Sequence, residues 1–352
     1  MIKGAQILEL IGLTIEEMEK IMEELGQPRY RAHQVLDWLY KKGASDLSEL
    51  SNIPISLREE LQKAGWFFPS VRVRMALGAQ DGTKRYLFQL KDGQEVEGVL
   101  IPEENRKTVC FSTQVGCGMC CAFCATGRSG LVRNLTAGEI VDQVLRIGLE
   151  GKVRISNAVA MGQGEPLANY DQVIKAIRLM NADYALGIAA RRLTISTCGL
   201  IPGIYRLAKE DLQINLAVSL HSTDPEKRSE LVPVNKTYPL SLLHQACKDY
   251  AKTTGRRVTL EYTMIKGEND SEKDLQGLAA FAKGWLSHIN LIPFNPVPGT
   301  AYLGSEKKRV DYFKKSLLQQ GIPASIRESR GEDVWAACGQ LRAALAIKGN
   351  GE

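Results

Sequence analysis

Four cysteines stand within eight residues, in the stretch QVGCGMCCAFCATG: Cys117, Cys120, Cys121 and Cys124. Thiols crowded this closely point to metal binding or catalysis. The other four of the eight cysteines, Cys110, Cys198, Cys247 and Cys338, stand alone, which is unlike a disulfide framework. Two familiar metal patterns fit poorly. Ferredoxin spacing counted from Cys117 needs a cysteine at 123, where Phe123 stands. Zinc sites use two ligand pairs. Cys117 with Cys120, or Cys121 with Cys124, gives one pair each, too close together to face one ion, and no second pair follows at finger spacing. A third register remains: Cys117, Cys121 and Cys124, with an aromatic just before the last. Cys120 is then left over, as a spare thiol facing away or as a substitute ligand. The first reading is favoured, because adjacent residues cannot easily both reach one edge of a metal centre.

Further chemistry gathers in short polar stretches, each after an apolar run. These are MGQGEP (Met161–Pro166), STCG (Ser196–Gly199), SLH (Ser219–His221) and PFNP (Pro293–Pro296). Gly164 permits close approach of backbone to a ligand. Glu165 suits an ammonium group. Ser196, Ser219 and Asn295 are neutral donors and acceptors suited to ribose, carboxylate or adenine edges. Leu220 sits between Ser219 and His221. His221, one of four histidines, fits a hydrogen-bonded wall residue better than a base.

The elements that must carry these residues follow from the patterning. Residues 1–70 predict a small helical domain, with Thr14 as the cap of the first helix. Residues 71–107 alternate apolar and polar around two Asp-Gly turns, which predicts β-hairpins. From 108 to 330 six strand–helix units follow, and 331–352 form a tail carrying Cys338. Near-continuous apolar strands imply a parallel sheet covered by helices. Six units are too few for an eight-stranded barrel, so the predicted fold is α/β, an open, partial (β/α)6 barrel. The cysteine loop follows the first of its strands. The other polar stretches follow the second, third, fourth and sixth, where such sheets bind ligands.

The chain has 352 residues, 44% hydrophobic and 24% charged, with net charge +5. That is globular and mildly basic, which permits a polyanionic partner without demanding one. The N-terminus shows no signal peptide. No run reaches the ~18 apolar residues of a membrane span. A cytosolic protein without a membrane partner is expected.

The third cysteine register resembles the signature of the radical S-adenosylmethionine (SAM) superfamily, C-x3-C-x-aromatic-C. That resemblance implies a [4Fe-4S] cluster on Cys117, Cys121 and Cys124, whose fourth iron stays open for SAM. More of the chain joins in: GVLIPEENRKTVCFSTQVGC, CATGRSGLVRNLTAGEIVDQV, GQGEPLANY, AVSLHS, NLIPFNPVPG and GEDVWAACGQL. Together these resemble the ribosomal RNA adenine methyltransferases of the RlmN/Cfr type, over nearly the whole chain.

The resemblance implies a reaction and assigns its residues. Cys338 takes a methyl group from one SAM. A second SAM yields a radical that removes a hydrogen from the S-methyl group, and the carbon radical adds to the adenine ring. Glu97 removes the ring proton. Cys110 then attacks the sulfur of Cys338, leaving a transient disulfide. Gly164, Glu165, Ser196, Ser219, Leu220, His221 and Asn295 are the implied SAM contacts. The implied product is 2-methyladenosine in 23S rRNA and in tRNA, with a flavodoxin or ferredoxin as electron donor. Carbon-8 methylation, as in the antibiotic-resistance branch, is the near alternative. A non-catalytic iron–sulfur or zinc RNA-binding protein is the alternative from another class. The family commonly has Met where Gln163 stands, which suggests an added hydrogen bond near the cofactor. Candidate RNA contacts are Arg29, Arg31 and His33 in the helical domain, Lys84 and Arg85 on the hairpin, Arg128 and Arg133 after the cluster, and Arg256 and Arg257 before the fifth strand.

Overall fold

A computed structural model describes residues 8–341. Its first helices are α1 (Ile15–Glu24), α2 (Tyr30–Tyr40) and α3 (Ile55–Lys63). Thr14 caps α1 as expected, and Glu17 reaches back to the Thr14 N–H at 2.8 Å, completing a capping box. The helices bury Met18, Met22, Leu36, Leu39, Leu57 and Leu61. Two short parallel strands, β1 (Leu8–Glu9) and β2 (Trp66–Phe67), tie the ends of this unit together. It leans on the helix Ala137–Gly151 where two glycines meet. A Cβ on Gly12 would fall 2.5 Å from the Gly138 nitrogen.

A meander follows: β3 (Val71–Gly78), β4 (Lys84–Leu90), β5 (Glu95–Glu103) and β6 (Arg106–Cys110). Next, β7 (Gln114–Gly116) and β8 (Leu131–Asn134) pair antiparallel, holding between them the cysteine loop and the short α4 (Ala125–Arg128). Then strands and helices alternate: α5 (Ala137–Gly151), β9 (Asn157–Ala160), α6 (Tyr170–Asn181), β10 (Leu193–Thr197), α7 (Ile201–Leu207) and β11 (Asn215–Ser219). The series continues with α8 (Pro225–Leu231), α9 (Leu240–Thr254), β12 (Val258–Met264), α10 (Glu272–Ala282), β13 (Ser287–Pro293), α11 (Lys307–Gln319) and β14 (Ala324–Ile326).

One sheet takes ten of these strands, in the order β14-β13-β12-β11-β10-β9-β6-β5-β4-β3. From β6 to β14 every pair is parallel and each strand lies beside its predecessor in the series. That is the singly wound order of a partial barrel. The hairpins continue the same sheet, because β5 pairs antiparallel with β6. The first strand of the series, β6, ends at Cys110. Beyond it the Ser112 N–H goes to the side chain of Gln143 and the Thr113 N–H to the carbonyl of Gln163, so the ladder cannot continue.

Strand alternation sorts the faces. Ala158, Ile195, Leu216, Val218, Leu260, Tyr262, Ile289 and Leu291 join the helices in the core. The alternate residues, among them Val159, Thr194, Ser196, Ala217, Ser219, Glu261, Asn290 and Arg327, line the concave face. The tail folds back over that face. Gly331 N–H bonds Asp81, and Ala336 and Leu341 pack on Val99 and Cys110. No helix among the described residues is long and apolar enough to cross a membrane.

Candidate active site

At the carboxyl ends of the parallel strands lies an open cavity of ≈ 960 Å³. Cys117, Cys121 and Cys124 line it together. Burial pushes the Cys117 thiol up to about 12 and raises Cys124 as well. Thiols in such a wall lose their protons when a metal takes their place. Cys120 is exposed and is not on the wall. Its φ of 53° turns the chain so that it and Cys121 diverge. Among the described residues no three His, Cys, Asp or Glu side chains gather around a single ion. A cluster asks for something different, one thiolate per iron. Three thiols spread along one wall fit that donor set.

The glycine-rich stretch forms the neighbouring wall. A Cβ on Gly164, at φ 103°, would fall 2.7 Å from the backbone nitrogen of Gln114, so the two backbones touch as only glycine allows. Glu165 is buried on the wall and accepts from the N–H groups of Leu167 (3.0 Å) and Cys198 (2.7 Å). Burial raises its carboxyl, and a cationic group beside it would bring it back down. Ser196, Ser219, His221 and Asn295 all line the cavity.

His221 sits edge-on to Phe123, with ring centroids 4.7 Å apart. Its Nδ1 accepts the Thr263 N–H at 3.0 Å, which fixes a neutral ring carrying its proton on Nε2. It is a wall residue, as expected. Burial lowers its pKa to about 3. An unfolded His221 takes up a proton below about pH 6.5, whereas the folded one stays neutral until about 3. Stability should therefore fall as pH drops through that window, by up to ~1.4 kcal/mol per pH unit from this group. His221→Gln should flatten the slope of denaturation midpoint against pH. An unchanged slope would contradict the buried neutral ring.

Several expected residues lie elsewhere. Leu220 is not on the wall. Its side chain is in the main core, its N–H bonds the Glu261 carbonyl and its carbonyl accepts from Arg228. Gln163 is also off the wall. Both polar atoms of its amide are buried without a partner among the described residues. Such a group costs about 1–3 kcal/mol. Gln163→Met should raise stability by about that much, read as a shift in chemical denaturation midpoint. A fall would show that the amide has a partner.

Arg85 and Glu97 are buried and paired with each other. Arg85 also bonds the Val334 carbonyl of the tail. Arg85 is therefore no surface contact for RNA, and Glu97 lies behind the tail, on neither cavity wall. Arg133 is held by Asp92 and Glu139, and Arg256 by Ile214 and Asn215. Both are committed to the fold. Arg31 bonds Gln34 and the Asn52 carbonyl. Arg29, His33, Lys84, Arg128 and Arg257 are exposed.

The patterning gave no hint of Arg228. It is wholly buried and donates to the carbonyls of Cys198, Ser219 and Leu220 and to Asn235 Oδ1. One guanidinium thus ties two of the strand-end loops together. A charged residue one turn into a helix capped by Asp224 looks like ordinary surface from sequence.

A second, larger space runs down the concave face between the strands. Six residues line both spaces: Met161, Glu261, Ile292, Asn295, Arg327 and Cys338. They form a throat, and Cys338 is in it. Asn295 holds it there, with its side-chain N–H on the Cys338 carbonyl at 3.4 Å and its oxygen taking the Ser329 hydroxyl at 2.7 Å. Cys110 stands behind, where Ala336 of the tail covers it. Burial and then the nearby sulfur of Cys338 push its thiol up to about 12. All eight cysteines are free thiols, so the implied Cys110–Cys338 disulfide is not formed here.

Residues 111–279 match the Radical SAM superfamily, and residues 8–65 match the ribosomal RNA large subunit methyltransferase N-terminal domain. A probable dual-specificity RNA methyltransferase RlmN of Pelotomaculum thermopropionicum is 46% identical over 96% of this chain and 92% of its own length. One of the same description from Thermus thermophilus is 48% identical over 92% of each chain. A crystal structure of a radical SAM methyltransferase from Sphaerobacter thermophilus superposes with a TM-score of 0.92, at 44% identity, covering 96% of this chain and 99% of that one.

Proposed function

The chain belongs to the RlmN family of radical SAM RNA methyltransferases, and from that premise we propose that it methylates carbon 2 of an adenosine in 23S rRNA and in tRNA, through a methyl group carried on Cys338. The position of Cys338 in the throat carries this reading. A thiol that takes a methyl group from one partner and delivers it to another needs a space on each side. Carbon 2 of adenine is electrophilic, so direct methyl transfer from a sulfonium fails there, and a carrier is required.

When bound, the cluster and SAM supply one-electron chemistry that activates the S-methyl group. The chain's own residues do the rest. Cys117, Cys121 and Cys124 would hold the cluster. Gly164, Glu165, Ser196, Ser219, His221 and Asn295 present a polar wall to SAM. Cys338 holds the methyl, and Cys110 releases the product by attacking its sulfur. Glu97, paired with Arg85, is the proposed base. Its role as that base requires the tail to shift and open a path to the ring.

Anaerobic reconstitution with iron and sulfide, then SAM, a reductant and either RNA, tests the proposal. The expected products are 2-methyladenosine and a Cys338 peptide heavier by one methyl. No methyladenosine in either RNA would end the reading. A methyl group on carbon 8 would move the protein to the alternative chemistry.

The helical domain is the proposed grip on RNA. It cannot simply be removed, because it packs on α5 through Gly12 and the start of β3 is held by Asp142 of that helix. Glutamate at Arg29 and at His33 is the cleaner probe. Binding should weaken, with a shallower dependence on salt. Unchanged affinity and slope would place the grip elsewhere.

A further inference from the structure

Arg327 follows directly on the last strand. Its N–H bonds the Leu291 carbonyl at 2.8 Å, extending the β13–β14 ladder by one residue. Alternation then aims its side chain at the concave face, and it lines both spaces where they meet. There its guanidinium donates to the Met161 sulfur at 3.4 Å. It has no carboxylate in salt-bridge contact among the described residues. Glu261, also in the throat, is already bonded by the Asn290 amide at 2.8 Å. A half-buried cation with no anionic partner in contact, beside a nucleophile that must be anionic to react, defines a role.

We propose that Arg327 is a positioning residue that holds the sulfur of Cys338 as an anion in the throat, ready to accept a methyl group. This rests on the reading of Cys338 as the methyl carrier. The step balances simply. Cys338 first gives its proton to solvent. The thiolate then attacks the methyl carbon of a sulfonium donor. A sulfur–carbon bond forms, the donor's sulfur–carbon bond breaks, and its electron pair leaves with the neutral thioether. Afterwards Cys338 is neutral too, so Arg327 no longer holds it, and the S-methyl group is free to turn toward its acceptor.

The sulfur of Cys338 is the strongest influence raising Arg327, followed by Glu261 and Cys110 against the cost of burial. Arg327 in turn draws Cys110 downward, against burial and against a charge on Cys338. Facing the pair are therefore Glu261 from β12 and Cys110 from β6. Cys110 and Cys338 are disfavoured as simultaneous anions, so the cation serves them in turn.

Thiol alkylation reads this without SAM, RNA or turnover. The reconstituted full chain is treated anaerobically with iodoacetamide over a range of pH. Labelling is then measured on the Cys338 peptide and, as a reference, on that of exposed Cys120. In Arg327→Met the Cys338 curve should move to higher pH by a unit or more, about tenfold slower at a fixed pH on its rising limb, while the Cys120 curve stays. Arg327→Lys keeps the charge and should restore most of the shift. A Cys338 curve in Arg327→Met that superposes on the wild type would overturn the proposal. So would equal movement of both curves, which would mark a general change in the fold. Failure of the carrier reading looks different: no methyl is found on Cys338 after SAM, whatever its alkylation curve.

Discussion

A Cys110→Ala protein should stop with RNA covalently attached to Cys338. In the proposed reaction a thioether would link base and protein once the activated methyl carbon has joined the adenine, and a second thiol would be needed to break it. Cys110 is the thiol behind Cys338. Without it, product release should fall on the order of 10²-fold or more. A protein–RNA band should persist on a denaturing gel, in an amount approaching one RNA per protein. The fold should survive, because the change removes one buried sulfur from a small cluster of Val99, Ala336 and Leu341. The companion Cys338→Ala protein should give neither product nor band. Normal turnover by Cys110→Ala, with no band, would remove Cys110 from the reaction.

The same stretch of chain shows what a sequence can and cannot tell. Short-range features were legible because one side chain and its partner lie a few residues apart. The cap of the first helix at Thr14 is of this kind. Cys117, Cys121 and Cys124, close in sequence, also share a wall. Strand order was legible because successive βα units must lie side by side. Features fixed by distant partners were not. The end of β6 depends on Gln143 and Gln163, and the burial of Arg228 on carbonyls from two other loops. Arg85 is the instructive error. Lys84 and Arg85 look like one basic patch, yet adjacent strand residues face opposite ways, so Lys84 is exposed and Arg85 is buried against Glu97. Alternation held that information. Leu220 shows the same logic in reverse, since in SLH the middle residue points into the core.

Alanine at Cys121 and at Cys120 should have opposite consequences, although the two residues are neighbours. Cys120→Ala should keep its iron and its activity, because the thiol is exposed, touches only the Gly118 carbonyl at 3.6 Å and faces away from the cavity. Cys120→Gly should be at least as stable as the parent, since the φ of 53° is one that glycine adopts freely. Cys121→Ala should lose the visible absorbance of the cluster, its bound iron and all methyl transfer. One neighbour complicates the second result. The Cys198 thiol lies 3.8 Å from that of Cys121 and on the same wall. It is a thiol in reach of the vacated position, on a loop held in place by Arg228. The Cys121→Ala/Cys198→Ala double variant separates the cases. If Cys121→Ala alone retained iron and the double variant did not, Cys198 would be the stand-in ligand and the register would hold. If both retained iron while Cys120→Ala lost it, the cluster would sit on the other register, and the wall described here would not be its site.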